Sequence, residues 1–253
     1  MESPQNPPSY RKVPLSRIKS WLSHGWLMFR QTQNASMAYA GIFALIGATL
    51  LAGVVILDIA PMAFPLAGGF MLVGPAVLAG FFNAARLQAE GRPARLADFF
   101  AGFRHNPPAL WVLSVVCFFL FLIWLTDAAI VYSLYFGTVP VLSALEFFAG
   151  FGSGGRWLSF LLLSSFTGAV LALLIFAVSA FSVPLIHRRR LELAKAVSTS
   201  VRAVFGNFGV MMAWGIVLTL GVAGSILLFM PLFVVAFPVL AFASEQAYRD
   251  ICA

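Results

Sequence analysis

Few side chains in this sequence have the chemistry to hold a metal or attack a substrate, and their spacing assembles neither site. The three histidines, His24, His105 and His187, fall in separate polar flanks with no HxxxH or HExxH spacing, which excludes a zinc site or a haem held between histidines. Cys117 lies in an apolar run and Cys252 beside the C-terminus, and two cysteines without a CxxC spacing make neither a disulfide framework nor a redox pair. No Ser, His and Asp set falls at a common depth. The stretch FGSGG at 151–155 lacks the strand, lysine and helix of a phosphate loop and reads as a turn. The expectation is a protein that is not an enzyme and carries no cofactor or metal.

Two charged groupings remain. Asp58 and Asp127 come late in apolar stretches, where a rise of 1.5 Å per residue puts them near the outer interface rather than at mid-membrane. They are candidates for an external vestibule for a cation or small solute, with Ser164, Ser165 and Thr167 deeper. The second grouping follows the apolar segment FSVPLI: Arg188, Arg189 and Arg190, with Lys195 close behind. Such a cluster anchors the topology of a membrane helix and suits an anionic lipid head group. A nucleic-acid patch would need a folded soluble module to present it, and none is visible.

The surrounding composition is that of a membrane protein. Hydrophobic residues make up 61% of the chain and charged ones 10%, with a mean hydropathy of +0.93, against about 25% charged in soluble domains. A helix needs roughly 20 residues to cross about 30 Å of hydrocarbon. Six windows qualify: 37–58, 62–85, 109–133, 157–186, 208–228 and 231–248. Residues 1–13 are expected to be a disordered cytoplasmic segment and 14–253 a single six-helix transmembrane domain. With these spans, Arg156 lies on one side and the other Lys and Arg residues on the opposite side, so the positive-inside rule puts both termini in the cytoplasm.

The basic side carries more than loops. Leu96, Phe99, Phe100 and Phe103 recur at helical spacing, as do Leu15, Ile18, Leu22, Trp26 and Phe29, and Ala194, Val197, Val201, Val204 and Phe205. Each set predicts an amphipathic helix lying in the interface, with Trp21 and Trp26 at head-group depth. An asparagine and an aromatic open the following span (Asn34 and Tyr39, Asn106 and Trp111, Asn207 and Trp214). A proline precedes a basic residue by eleven positions in each return segment (Pro75 and Arg86, Pro184 and Lys195, Pro238 and Arg249). The pattern predicts an all-α membrane protein of three hairpins, each preceded by an interfacial helix. Ala40, Ala44, Ala48 and Ala52, and Ala76, Gly80 and Ala84, make small-residue faces for close helix contact.

The segments VPLSRIKSWLSHGW, ADFFAGFR, FAVSAFSVPLIHRRRLELAKAVSTSVRAVFGN and PVLAFASEQAYRD, spread over about residues 13–251, resemble a family of bacterial, mainly proteobacterial, six-helix predicted integral membrane proteins, a domain of unknown function. The resemblance implies a bacterial inner-membrane location and supplies no activity. It also implies a more polar, histidine-containing stretch before the final AYRD, where this chain has Glu245 and Gln246. Small-residue faces, interfacial helices and the lack of a reactive cluster point to an accessory subunit, assembly factor or scaffold of a larger membrane complex. Its expected partners are membrane lipids, anionic ones included, and other membrane protein subunits. The alternative is a small-solute or lipid transporter working through proline-kinked hairpins.

Overall fold

The computed structural model describes residues 10–57, 75–104, 107–137, 155–189 and 191–252, and every element among them is helical. In chain order these are α1 (Arg17–Gln31), α2 (Gln33–Ile56), α3 (Pro75–Ala89), α4 (Leu96–Arg104), α5 (Pro108–Phe136), α6 (Gly155–Ser179), α7 (Ser182–Arg189), α8 (Leu193–Gly206), α9 (Phe208–Leu228) and α10 (Phe233–Cys252). Among the described residues four stretches are long and apolar enough to cross a membrane: Gln33–Val54, Pro108–Phe136, Gly155–Arg189 and Phe208–Ile226. They correspond to the expected first, third, fourth and fifth spans. Most of the expected second span, 62–85, lies outside the described residues, and its remainder is the start of α3.

The expected sixth span, 231–248, falls mostly on α10, which is not among those four stretches. α10 carries Glu245, Arg249 and Asp250 in its last two turns, and Phe233, Leu240, Ala241, Phe242, Ala243, Glu245, Ala247, Tyr248, Ile251 and Cys252 are all buried. Other helices rather than lipid cover most of its surface. α10 packs against α1, α2, α3 and α9, and the chain folds around it.

α1 departs from its expected place for the same reason. Trp21, Gly25, Met28 and Phe29 are buried, while Leu15 and Trp26 are exposed. A Cβ on Gly25 would lie 2.3 Å from the carbonyl oxygen of Val239, so only glycine admits the α10 backbone there. Trp21, expected at head-group depth, is fully enclosed, meets Trp214 edge to face at 5.5 Å, and donates its indole N–H to Asp250 Oδ2 at 2.9 Å. The apolar stripe was legible in the sequence, but whether lipid or protein would cover it was not.

The expected fourth span is broken near its end. Ala180 and Phe181 separate α6 from α7, and Ser200 of α8 fills the break: its hydroxyl accepts from the Phe181 N–H at 3.1 Å and donates to the Ala177 carbonyl at 2.8 Å. These are the two groups that would otherwise bond to each other in a continuous helix, and a side chain inserted into that ladder produces a kink. Pro184 falls in the first turn of α7, where a missing N–H is tolerated. α8 therefore turns Ala196, Thr199, Ser200, Ala203 and Val204 inward; of the expected stripe, Val204 is buried and Val197 and Val201 pack partly buried against the core, while Ala194 is exposed and Phe205 lies half exposed against a stacked Phe208.

On the other flank, Gly80 of α3 accepts close approach by both Tyr39 of α2 and the Phe99 backbone of α4, so the small-residue face read from 76, 80 and 84 serves helix contact. Tyr39, Phe81 and Phe99 form an aromatic cluster with Phe242 of α10. α3 ends at Gly91, whose φ of 71° lets the Arg92 N–H return to the Leu87 carbonyl.

Candidate functional site

The arginines that follow FSVPLI do not form one surface patch. α7 rests on α3 and leads its last turn toward the C-terminal half of α10. Arg188 pairs with Glu245 there, and Arg189 lies close enough to Tyr248, one turn further along α10, for its charge to act on the phenol. Arg190 lies outside the described residues. Lys195 stays exposed and faces Glu192 of its own segment at 3.5 Å. The three described candidates for a lipid head group, Arg188, Arg189 and Lys195, are thus spread over different environments.

Glu245, only 1% exposed, is the centre of the charged cluster. Its Oε1 accepts a hydrogen bond from Arg249 Nε at 2.7 Å within α10 and is ion-paired with Arg188 Nη2 of α7. Glu245 Oε2 and both Nε and Nη2 of Arg188 are buried with no hydrogen-bond partner among the described residues. Arg86 of α3 is near enough for its charge to act on Arg188, and it also reaches Asn83 at 3.0 Å and Glu90 at 2.9 Å. Asn83, itself buried, donates to the Asp98 carbonyl at 2.7 Å and so links α3 to α4. Helices α7 and α10 each bring an arginine to one buried carboxylate, and α3, which packs against both, holds Arg86 close enough for its charge to act on Arg188.

The proline and basic pairs explain part of this convergence. Pro75 and Arg86 bracket most of α3, and Pro238 and Arg249 occupy the same spacing in α10, where Asn-Ala-Ala-Arg (83–86) and Gln-Ala-Tyr-Arg (246–249) stand in register. The third pair breaks the pattern, because Arg188 rather than Lys195 completes the cluster. The asparagines also diverge. Asn34 is exposed and Asn106 lies outside the described residues, whereas Asn207 is buried. Asn207 accepts from the Val13 N–H at 3.0 Å and donates to the Arg11 carbonyl at 3.0 Å, while the Arg11 N–H reaches the Ile251 carbonyl at 2.8 Å. Residues 10–13 thereby strap the α8–α9 elbow to the end of α10.

Residues 63–187 match the family model described as Predicted integral membrane protein (DUF2189). The chain is an integral membrane protein with apolar helices. No curated protein and no solved structure matches it. The matched stretch ends at His187, so Arg188 and all of α8, α9 and α10 follow it. It is also narrower than the resemblance read over about residues 13–251.

The vestibule pair is divided. Asp58 lies outside the described residues. Asp127 is half-buried on α5, which runs antiparallel to α6: Trp124 lies against Gly168, and the Phe136 and Trp157 rings meet at 4.6 Å, tilted by 45°. That register brings Asp127 to the level of Ser164 and Ser165, and the Ser164 hydroxyl is buried with no partner among the described residues. Sequence reasoning missed Glu245 as a centre. A carboxylate near the end of an apolar segment reads as a solvated helix end, and its one trace in the sequence was the matching spacing of Arg86 and Arg249 to their prolines.

Proposed function

We infer that this chain is a non-enzymatic, multi-pass protein of a bacterial inner membrane, with both termini cytoplasmic, acting as an accessory subunit, assembly factor or scaffold of a larger membrane complex. The observation that carries this reading is the uncovered surface of its apolar helices. Only 17% of the most apolar window of α2, and 17% of that of α5, is buried within the chain. On α2 the outward surface includes Gly41 and Gly53, each with no described residue within 4 Å of a built Cβ, beside exposed Leu45 and Leu50. Lipid drives no hydrophobic association of helices, so small residues on an open face favour close packing with a partner helix. Two ion pairs join helices to α10, Arg188–Glu245 from α7 and Arg17–Asp250 from α1.

Native mass spectrometry of the protein extracted gently from its own membrane tests this. A protein partner in fixed stoichiometry is expected. Repeated recovery of an isolated chain carrying a small solute would overturn the scaffold reading in favour of transport, with Asp127 and Asp58 the first residues to change.

A further inference from the structure

We propose that Arg86, Arg188 and Arg249 form a binding site for a phosphate-bearing anion at the basic end of the helix bundle. It extends the lipid side of the functional reading, and its test does not depend on finding a protein partner.

Arg188 and Arg249 share a single oxygen of Glu245, so two guanidinium groups are offset by one carboxylate that is almost wholly buried. Arg86 adds a third positive charge that acts on Arg188, and its own partner, Glu90, is also in contact with Arg92 at 3.7 Å. Like charges gathered where water is partly excluded repel strongly, and an added anion offsets that cost. Donors are available as well. Arg249 engages Glu245 through Nε, leaving its two terminal nitrogens without a partner among the described residues. Such a fork suits two parallel bonds to phosphate oxygens. Access is graded: the Arg188 side chain is 21% exposed, Arg249 34% and Arg86 49%. The cluster thus opens from a buried anchor toward solvent or head groups.

Position favours a membrane phosphate over a soluble one. Arg188 and Arg189 end the apolar stretch Gly155–Arg189, the depth at which basic side chains meet lipid head groups. The buried carboxylate sets the sign of an informative test. Glu245 opposes any incoming anion electrostatically, so its neutralisation should weaken the helix contacts yet tighten anion binding. A purely structural ion pair predicts only the first effect.

The experiment is a native mass spectrometric titration of the full-length protein in non-ionic detergent with phosphatidylglycerol, phosphatidylcholine or inorganic phosphate. Phosphatidylglycerol should be retained preferentially. Arg86→Gln, which leaves the Glu245 contacts in place, should weaken retention about fivefold, and Glu245→Gln should strengthen it by a similar factor. A control, Lys19→Gln with Arg202→Gln on exposed helix surfaces, should leave it unchanged. Retention of inorganic phosphate alone, with the same response to the variants, would support the site and assign it to a soluble anion. Equal retention by wild type, Arg86→Gln and Glu245→Gln, or an equal loss in the control, would overturn the proposal. Because Glu245→Gln is read as a gain of affinity, a folding defect cannot imitate its expected result.

Discussion

At the scale of single residues, the polar groups inside this protein are used mainly to join elements. Ser200 supplies both bonds missing from the break between α6 and α7, and Asn207 fastens the N-terminal segment to the α8–α9 elbow. Cys252 behaves as an apolar side chain. Burial pushes its thiol up to about 12, while the nearby Arg189 charge pulls the other way and does not prevail. At pH 8 the thiolate fraction is then roughly one in ten thousand, against about one in four for a free cysteine of pKa near 8.5. In a Cys117→Ala background, Cys252 should resist iodoacetamide at pH 8 in the folded protein and react readily after denaturation, with mass spectrometry reading the adduct. Rapid native alkylation would show that the C-terminus of α10 is not enclosed as described.

At the scale of elements, the contact between α1 and α10 is the tightest constraint. Gly25 lies against the Val239 carbonyl and the Ala243 backbone, and backbone cannot move aside as a flexible side chain would. Gly25→Ala should cost about 1–3 kcal/mol by overpacking, seen as a lower midpoint of thermal unfolding in detergent. Gly41→Ala, on the open side of α2, should leave the midpoint unchanged. Equal midpoints for the two variants would mean that α1 stands clear of α10. The ion pair between α7 and α10 adds specificity of placement rather than net stability, because desolvation opposes its Coulombic gain. Losing one member of such a pair is expensive, since it strands the other.

At the scale of the molecule, α10 is the post around which helices from both ends of the chain assemble, so its loss should be more damaging than loss of a peripheral span. A chain ending at Pro231 should fail to accumulate, and α1 should become cleavable by trypsin at Arg17, Lys19 or Arg30 in membranes opened on both sides. Protection of α1 equal to that in the full chain would show that α10 is dispensable to the core.

Composition alone determined that this is a helical membrane protein. Charge-free windows of bilayer length located α2, α5, the α6–α7 segment and α9, because span length and apolarity are properties of contiguous residues. The amphipathic periods of α1, α4 and α8 were also visible, but periodicity states that a face is apolar without stating what covers it. That left Trp21 assigned to head-group depth when protein encloses it, and gave no sign that α10 packs against α1, α2, α3 and α9. Glu245 was out of reach for the same reason. Its significance comes from Arg188, more than fifty positions earlier in the chain, and from Arg86, more than one hundred and fifty earlier and acting on Arg188, and only the packing of α3, α7 and α10 brings these groups near one another.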